Sequence, residues 1–339
     1  MENKLLLEKI IEKQNISSEE IESLLNSCVS GELPNEQLAA MLIALRMKGE
    51  TVDEITGLIH AMRKLSISFP TDSFAIDTCG TGGDGKGSFN ISTAVAFVVA
   101  GAGVRVIKHG NRAASSQCGS ADVLSALGVT IILTPEQAKK VFDSVGMIFL
   151  FAPLYHPAMK VIAPVRKALG TKTVFNYLGP FLNPAKIIRQ LIGVPSKQIA
   201  DILAQVASQL NYEHLLLVAS EEGIDEIGIN KKTLMYEIKG KQISKKMIDP
   251  QQLGFKINSS EEINGGDAEK NAGIIKNILN GEKGAKRDIV ILNSAYALLS
   301  SGTVSDVTEG IKRAEESIAS GAAEKILFHL IKETQKYAK

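Results

Sequence analysis

The hydrophobic pattern changes period once along the chain, near residue 70. Before that point apolar positions recur at helical spacing. Leu5, Leu6, Ile10 and Ile11 make one stripe, and Ser17-Ser-Glu-Glu20 is a capping box opening a second helix that ends near Gly31. Asn35 caps a third helix through Lys48, stopped by Gly49, and Thr51-Val-Asp-Glu54 opens a fourth ending near Leu65. Four short amphipathic helices cannot each bury a face alone. Residues 1–70 therefore read as a small all-helical domain, with Phe69-Pro70 as the hinge out of it.

From Phe74 short apolar runs alternate with helical stretches. Strands are predicted at 74–77, 104–108, 130–133, 147–151 and 214–219. Helices are predicted at 92–100, 120–127, 135–144, 159–169, 197–209, 288–299, 307–320 and 323–336. Such alternation predicts an α/β fold in which a mostly parallel sheet is covered by helices, here over residues 71–339. Residues 229–287 read as polar and irregular, with a surface hairpin from Lys231 to Lys246.

The first of these strands runs into the richest chemistry of the chain. Five glycines fall between Gly80 and Gly87, and Asn90-Ile-Ser-Thr93 then opens an apolar helix. Glycines let a ligand approach backbone amides, and a helix N-terminus adds free N–H groups and a positive dipole end. Strand, loop and helix together make an anion site. Charge agrees, because Gly85 to Ala121 holds no acid while Lys86, Arg105, Lys108, His109 and Arg112 all fall inside. Two common motifs nearly match and fail. Gly80-Thr-Gly-Gly-Asp-Gly85 lacks the acid that a dinucleotide site needs after the next strand, which ends in Lys108-His109. The P-loop spacing breaks at Gly87, where Ser or Thr should hold Mg²⁺. The glycine loop, Lys108-His109 and the Asp225-Glu226 turn all follow predicted strands, which gathers them at one sheet edge.

Composition narrows the class. The 38 basic and 37 acidic residues leave a net charge of +1, which argues against nucleic acid or anionic membrane as partner. No apolar run is long enough to span a bilayer, and Glu8 and Lys9 make the N-terminus unlike a signal peptide. The three cysteines, Cys28, Cys79 and Cys118, are widely spaced, which excludes a disulfide framework and the usual zinc spacings. A cytoplasmic enzyme with reduced thiols is expected.

Seven motifs, in order, carry a family resemblance: Gly80-Thr-Gly-Gly-Asp84, Asn90-Ile-Ser-Thr93, Lys108-His-Gly-Asn-Arg112, Gly119-Ser-Ala-Asp122, His156-Pro-Ala158, Phe175-Asn-Tyr-Leu-Gly-Pro180 with Asn183-Pro-Ala185, and Gly223-Ile-Asp-Glu226. Over essentially its whole length the chain resembles the anthranilate phosphoribosyltransferases, whose fold is similar to that of pyrimidine nucleoside phosphorylases. The resemblance implies transfer of phosphoribose from 5-phosphoribosyl-1-pyrophosphate (PRPP) to the amino group of anthranilate. It implies PRPP binding by Gly80, Gly82, Gly83, Asp84, Ser88, Asn90, Ile91, Ser92, Thr93, Lys108, His109, Gly110, Asn111, Arg112, Ala113, Ala114, Ser115, Ser116 and Ser120. For anthranilate it implies Gly80, Asn111, Arg166, His109 and His156, and for Mg²⁺ Ser92, Asp225 and Glu226. It further implies a homodimer, part of 156–185 joining the helical domain, and a cleft between the two domains. No residue is assigned covalent or acid–base catalysis; positioning and electrostatic stabilisation are expected to carry the rate.

Cys118, Lys172, Phe181 and Ala219-Ser220 depart from the family's usual residues without removing an implied ligand. Two rival readings are a pyrimidine nucleoside phosphorylase and a non-catalytic nucleic-acid-binding relative. The phosphorylase has Lys-His-Ser in place of Lys108-His-Gly-Asn111 and no use for Asp225-Glu226. The nucleic-acid binder should show a basic excess and lost acceptor residues.

Overall fold

A computed structural model describes residues 2–71, 74–113 and 117–338. The chain divides into two compact units, Met1–Ser68 with Ala152–Pro184, and Phe69–Phe151 with Ala185–Lys339.

The first unit is helical: α1 (Glu2–Ile11), α2 (Ser18–Ser30), α3 (Asn35–Lys48) and α4 (Val52–Lys64). Both predicted capping boxes close, Ser17 with Glu20 and Thr51 with Glu54. Pro34, not Asn35, holds the cap position of α3. Glu54 does more than cap. Its carboxylate also accepts from the Ile16 amide at 2.9 Å and from buried Lys48 Nζ at 2.8 Å, tying the α1–α2 link to α4. The returning segment adds α8 (Ala152–Tyr155), α9 (Met159–Leu169) and α10 (Phe175–Leu178), and α9 packs on α2 and α3.

The second unit carries, in chain order, β1 (Asp77–Gly80), α5 (Ile91–Gly101), β2 (Val106–Gly110), α6 (Ser120–Ala126), α7 (Pro135–Val145), β3 (Met147–Phe151), β4 (Arg189–Gly193), α11 (Lys197–Ser208), β5 (His214–Ser220), β6 (Thr233–Lys239), β7 (Gln242–Ile248), α12 (Ala268–Leu279), α13 (Ala285–Ser301), α14 (Val307–Ala319) and α15 (Ala322–Gln335). Strand order is β1-β4-β5-β6-β7, with β2-β3 a second ladder joined to the first by the parallel Ile76–Val106 bridge. β1, β4 and β5 run parallel, as do β2 and β3, while β6 and β7 are antiparallel. Helix α5 is apolar all round, because it is enclosed by β1 and β2 on one side and α13, α14 and α15 on the other.

Four expectations need correction. Residues 130–133 form no strand. Their alternation is real, with Ile131 and Leu133 buried and Ile132 exposed, but the Thr130 amide donates to Thr334 Oγ1 on α15 instead of to a neighbouring strand. β4 was not predicted, because Arg189 and Gln190 break its apolar run. Gln190 is nonetheless fully buried, and its amide is satisfied by Tyr212 Oη, Cys79 Sγ and Asp77. The hairpin 231–246 lies only half on the surface, since β6 pairs with β5 inside the sheet and β7 alone forms the exposed edge. Within the supposedly irregular 229–287, α12 buries Ala272, Ile275, Ile278 and Leu279 at helical spacing.

Candidate active site

The C-terminal ends of β1, β2, β4 and β5 bring the glycine loop, the segment after β2 and the Asp225-Glu226 turn to one edge of the sheet. The glycine loop begins at Gly80 and enters α5 at Ile91. Gly82, Gly83, Gly85 and Gly87 all have positive φ, so the loop is left-handed at four points and L side chains there would be strained. Asn90 occupies the cap position of α5 but makes no capping bond. Its Oδ1 accepts from Asn271 Nδ2 at 2.9 Å, and its Nδ2 donates to the Cys118 carbonyl at 3.2 Å. Among the described residues, the Ser92 amide in the first turn of α5 has no acceptor. Thr93 faces the interior, fully buried, with its hydroxyl unpartnered.

Lys108, predicted as the last residue of its strand, lies inside it. β2 continues to Gly110, and Lys108 is 1% exposed within it. Its ammonium donates to the Thr78 carbonyl and to Ser92 Oγ, the latter at 3.3 Å. The strand sets this burial, because its neighbours Ile107 and His109 are also buried. Beyond β2, Asp122 gathers the following segment. Its carboxylate accepts from Arg112 at 2.7 Å, from the Ala113 amide at 2.9 Å and from the Gly119 amide at 3.0 Å. These three donors outweigh burial and hold its carboxyl below the usual carboxylate range. Asn111 is exposed, with Oδ1 accepting from the Arg112 amide, and Ser120 opens α6. Ala114, Ser115 and Ser116 lie outside the described residues. Arg105, counted among the basic residues of this stretch, turns instead to Asp143 and the Phe142 ring.

Asp84, Asp225 and Glu226 present carboxylate oxygens within 4.8 Å of one another. Asp225 Oδ2 accepts from the Gly82 amide at 2.6 Å, so that amide is engaged by a carboxylate and is not an open donor. Among the described residues, Asp84 Oδ2 and Glu226 Oε2 are buried without a hydrogen-bond partner. Burial and the Asp84 charge push the Asp225 carboxyl up to about 6, and burial with the Asp225 charge drives Glu226 well above its usual range. Such a set of hard, crowded oxygens suits a divalent cation. Ser92 lines the same cavity as Asp225 and Glu226, together with Thr78, Cys79 and Asn293.

Two candidates sit in the helical unit. Arg166, on α9, is half-buried with its guanidinium over the Phe175 ring at 5.8 Å, and among the described residues no acid pairs with it. Burial lowers its pKa. His156 is 2% exposed, and burial holds its imidazole neutral, down to about 4.

Three site-shaping residues were not anticipated. Gly193 ends β4 opposite Gly80, and side chains at either position would collide with Asp225. Asn293 on α13 accepts from the Ile227 amide at 2.9 Å and donates to the Ile227 carbonyl at 2.9 Å, fixing the backbone of the residue that follows Glu226. Asn271 holds Asn90. The available signal was a lone asparagine on the buried stripe of each apolar helix, between Ile289 and Ala297 and beside Ala272 and Ile275.

An uncapped helix N-terminus behind a glycine loop, faced by three clustered carboxylates at the carboxyl edge of a parallel sheet, defines an enzyme that handles a phosphorylated, cation-chelating substrate. Similarity to known proteins narrows this class. The model of the "Glycosyl transferase family, a/b domain" matches residues 72–324, and that of the family's helical bundle domain matches 4–66. A curated anthranilate phosphoribosyltransferase of Alkaliphilus metalliredigens is 45% identical over 331 residues, 97% of this chain and 98% of that one. Another, of Thermoanaerobacter sp., is 48% identical over 94% of both chains. The crystal structure of the Thermus thermophilus anthranilate phosphoribosyltransferase superposes with a TM-score of 0.91 at 36% identity, covering 99% of this chain and 100% of that one. The Saccharomyces cerevisiae enzyme in complex with PRPP and Mg gives 0.89 at 28% identity over 98% of each chain. The chain belongs to the anthranilate phosphoribosyltransferase family. These likenesses support that reading over the nucleoside phosphorylase and the nucleic-acid binder.

Proposed function

We propose that the chain transfers the 5-phosphoribosyl group of PRPP to the amino group of anthranilate, giving N-(5-phosphoribosyl)anthranilate and pyrophosphate, a step of tryptophan biosynthesis. The observation that carries the site assignment is the meeting of opposites at one sheet edge. The open Ser92 amide at the α5 N-terminus and the left-handed glycine loop suit phosphate, while Asp84, Asp225 and Glu226 stand within 4.8 Å of one another, a set that needs a cation between it and any pyrophosphate.

The residues present fit Mg²⁺. Asp225 and Glu226, with Asp84 adjoining and Ser92 on the same cavity, would hold it, and two of these acids' buried oxygens have no partner among the described residues. When bound, the ion supplies charge neutralisation to the leaving pyrophosphate. The remaining work is the chain's own. The glycine loop and α5 receive the phosphates, each charge-assisted bond contributing about 1.5–3 kcal/mol. Lys108, buried against Thr78 and Ser92, acts from within the strand by orienting Ser92 Oγ and adding positive potential behind the acids. Asp122 holds the Asn111–Ala113 backbone in place for the sugar phosphate.

The C1–pyrophosphate bond breaks as cationic character develops on the ribose, and the arylamine nitrogen bonds to the opposite face with inversion. No side chain forms a covalent bond to the substrate; catalysis is by positioning and electrostatics. Arg166 takes the anthranilate carboxylate, for which its unpaired guanidinium is suited. His156 serves the acceptor only as a neutral wall, given its buried state.

Two coarser features complete the reading. Among the described residues no helix is long and apolar enough to cross a membrane, and the three cysteines are free. We assign the cytoplasm as its compartment and a homodimer as its assembly, the latter checked by sedimentation. The activity is tested by loss of anthranilate fluorescence on adding PRPP and Mg²⁺. Loss that requires both additions is expected; its absence would overturn the reading.

A further inference from the structure

The polar segment after β7 takes part in the phosphate site. Residues 263–266 run beside the end of the glycine loop. Phe89 donates its amide to the Ile263 carbonyl at 3.1 Å, Gly265 donates to the Gly87 carbonyl at 2.8 Å, and Ser88 bridges Asn264 in antiparallel fashion. Asn271, on α12, stands behind this strip and is 2% exposed.

The orientation of Asn271 is fixed from both sides. Its Oδ1 accepts from the Gly266 amide at 2.8 Å, so the other end must be the NH₂ group. That group donates to the Gly266 carbonyl at 3.2 Å and to Asn90 Oδ1 at 2.9 Å. The orientation of Asn90 follows, because only its oxygen can face a donor, and its own NH₂ reaches the Cys118 carbonyl. An asparagine in the cap position normally turns its oxygen onto the amide two or three residues ahead. Here those amides belong to Ser92 and Thr93. Thr93 already donates to the Asn90 carbonyl at 3.1 Å, which leaves the Ser92 amide as the group Asn90 would cap. Asn271 occupies the oxygen that would do it.

We propose that Asn271 is a positioning residue for PRPP: by holding the Asn90 side chain off the N-terminus of α5, it keeps the Ser92 amide open to phosphate. The proposal rests on the phosphate-site reading above. A helix whose own cap is sequestered binds an anion without first displacing that cap. The cost of leaving the amide open is met by α12 and the 263–266 strip.

The test is steady-state kinetics on four variants. In Asn271→Ala the freed Asn90 oxygen caps α5, and the KM for PRPP rises about fivefold, the factor that a capping side chain commands. The KM for anthranilate stays within about twofold of wild type. Removing the competing cap in Asn271→Ala/Asn90→Ala brings the PRPP KM back below that of the single Asn271 variant. Asn90→Ser, which leaves Asn271 untouched and too far for a short hydroxyl, keeps a capping oxygen beside Ser92. It therefore raises the PRPP KM more than Asn90→Ala does, although serine is the more conservative change. A merely structural Asn271 would lower Tm with the PRPP KM unchanged, or would give a double variant no better than the single, and either result overturns the proposal. If Asn271→Ala does not fold, the order of the two Asn90 variants decides, and alanine worse than serine overturns it. A wild-type chain without PRPP turnover would overturn the site reading and this proposal together.

Discussion

The carbonyl oxygen of Asp225 lies 1.6 Å from the point where a Cβ on Gly193 would stand. Gly193 pairs in register with Gly80, whose own Cβ would come within 2.0 Å of Asp225 Oδ2. Two adjacent strands thus end in residues without side chains, and the acidic turn lies in the slot they leave. At Gly80 the obstacle is the Asp225 side chain, but at Gly193 it is backbone and cannot be relieved by moving a flexible chain end. Gly193→Ala is expected to displace the turn, destabilise the fold by about 1–3 kcal/mol as overpacking typically does, and abolish activity. Thermal unfolding with the fluorescence assay checks this; an active, fully stable variant would mean the turn tolerates movement.

Asn293 holds the same turn from the other side, through the backbone N–H and C=O of Ile227. Asn293→Asp keeps the size, removes the donor to the Ile227 and Ile289 carbonyls, and adds a charge near two crowded carboxylates. A loss of about 2 kcal/mol or more is expected from the stranded buried groups, together with weaker Mg²⁺ dependence of activity. Denaturant titration at pH 7 measures the first, and an Mg²⁺ titration of rate the second.

Asp225 and Glu226 give a pH dependence of definite sign. Both carboxyls have folded-state values above their unfolded ones, Asp225 at about 6 against 3.8. Their contribution to stability is therefore fully present below about pH 4 and lost as pH rises through 6 and beyond. Without metal, Asp225→Asn/Glu226→Gln should raise Tm at pH 8 and change it little at pH 4. Mg²⁺ should raise the wild-type Tm at pH 8 and leave that of the double variant unmoved. Activity should fall by orders of magnitude; a double variant turning over normally would remove the acids from the metal site.

Arg166 is expected to act on one substrate only. Arg166→Ala should raise the KM for anthranilate and spare that for PRPP, since among the described residues no acid pairs with this guanidinium. Initial rates over a grid of both substrates decide. An equal rise in both constants would assign Arg166 to the packing of α9 instead.

Gly82 separates strain from binding. It has φ +73°, and a Cβ there would touch nothing within 4 Å, so Gly82→Ala costs conformational strain of about 1 kcal/mol without a clash. Its amide also donates to Asp225, and the added Cβ projects from the loop surface where pyrophosphate is assigned. By blocking close approach of the pyrophosphate, that Cβ should raise the PRPP KM about tenfold or more, roughly 1.4 kcal/mol of lost binding, with a Tm shift of only a few degrees. A variant that loses stability but keeps its PRPP KM would reduce the loop to a turn.

The local pattern determined α1 to α4, α5, α6, α7, α9, α11 and the three C-terminal helices, because capping residues and apolar periodicity act within a few turns of chain. It also placed the glycine loop before a helix and the acidic turn after a strand, and ordered motifs spoke for the family. What it misjudged depended on partners distant in sequence. β4 is a strand because β1 and β5 flank it and Tyr212 satisfies Gln190, whereas 130–133 lacks a neighbour and stays irregular. Lys108 was placed by the sequence at a strand end facing substrate, and only the packing of β2 beside α5 made it a buried donor to Thr78 and Ser92. Asn271, Asn293 and Gly193 had no motif at all. Their roles arise where α12, α13 and β4 meet the loops, so tertiary structure alone turned two buried asparagines and a strand-ending glycine into the supports of the site.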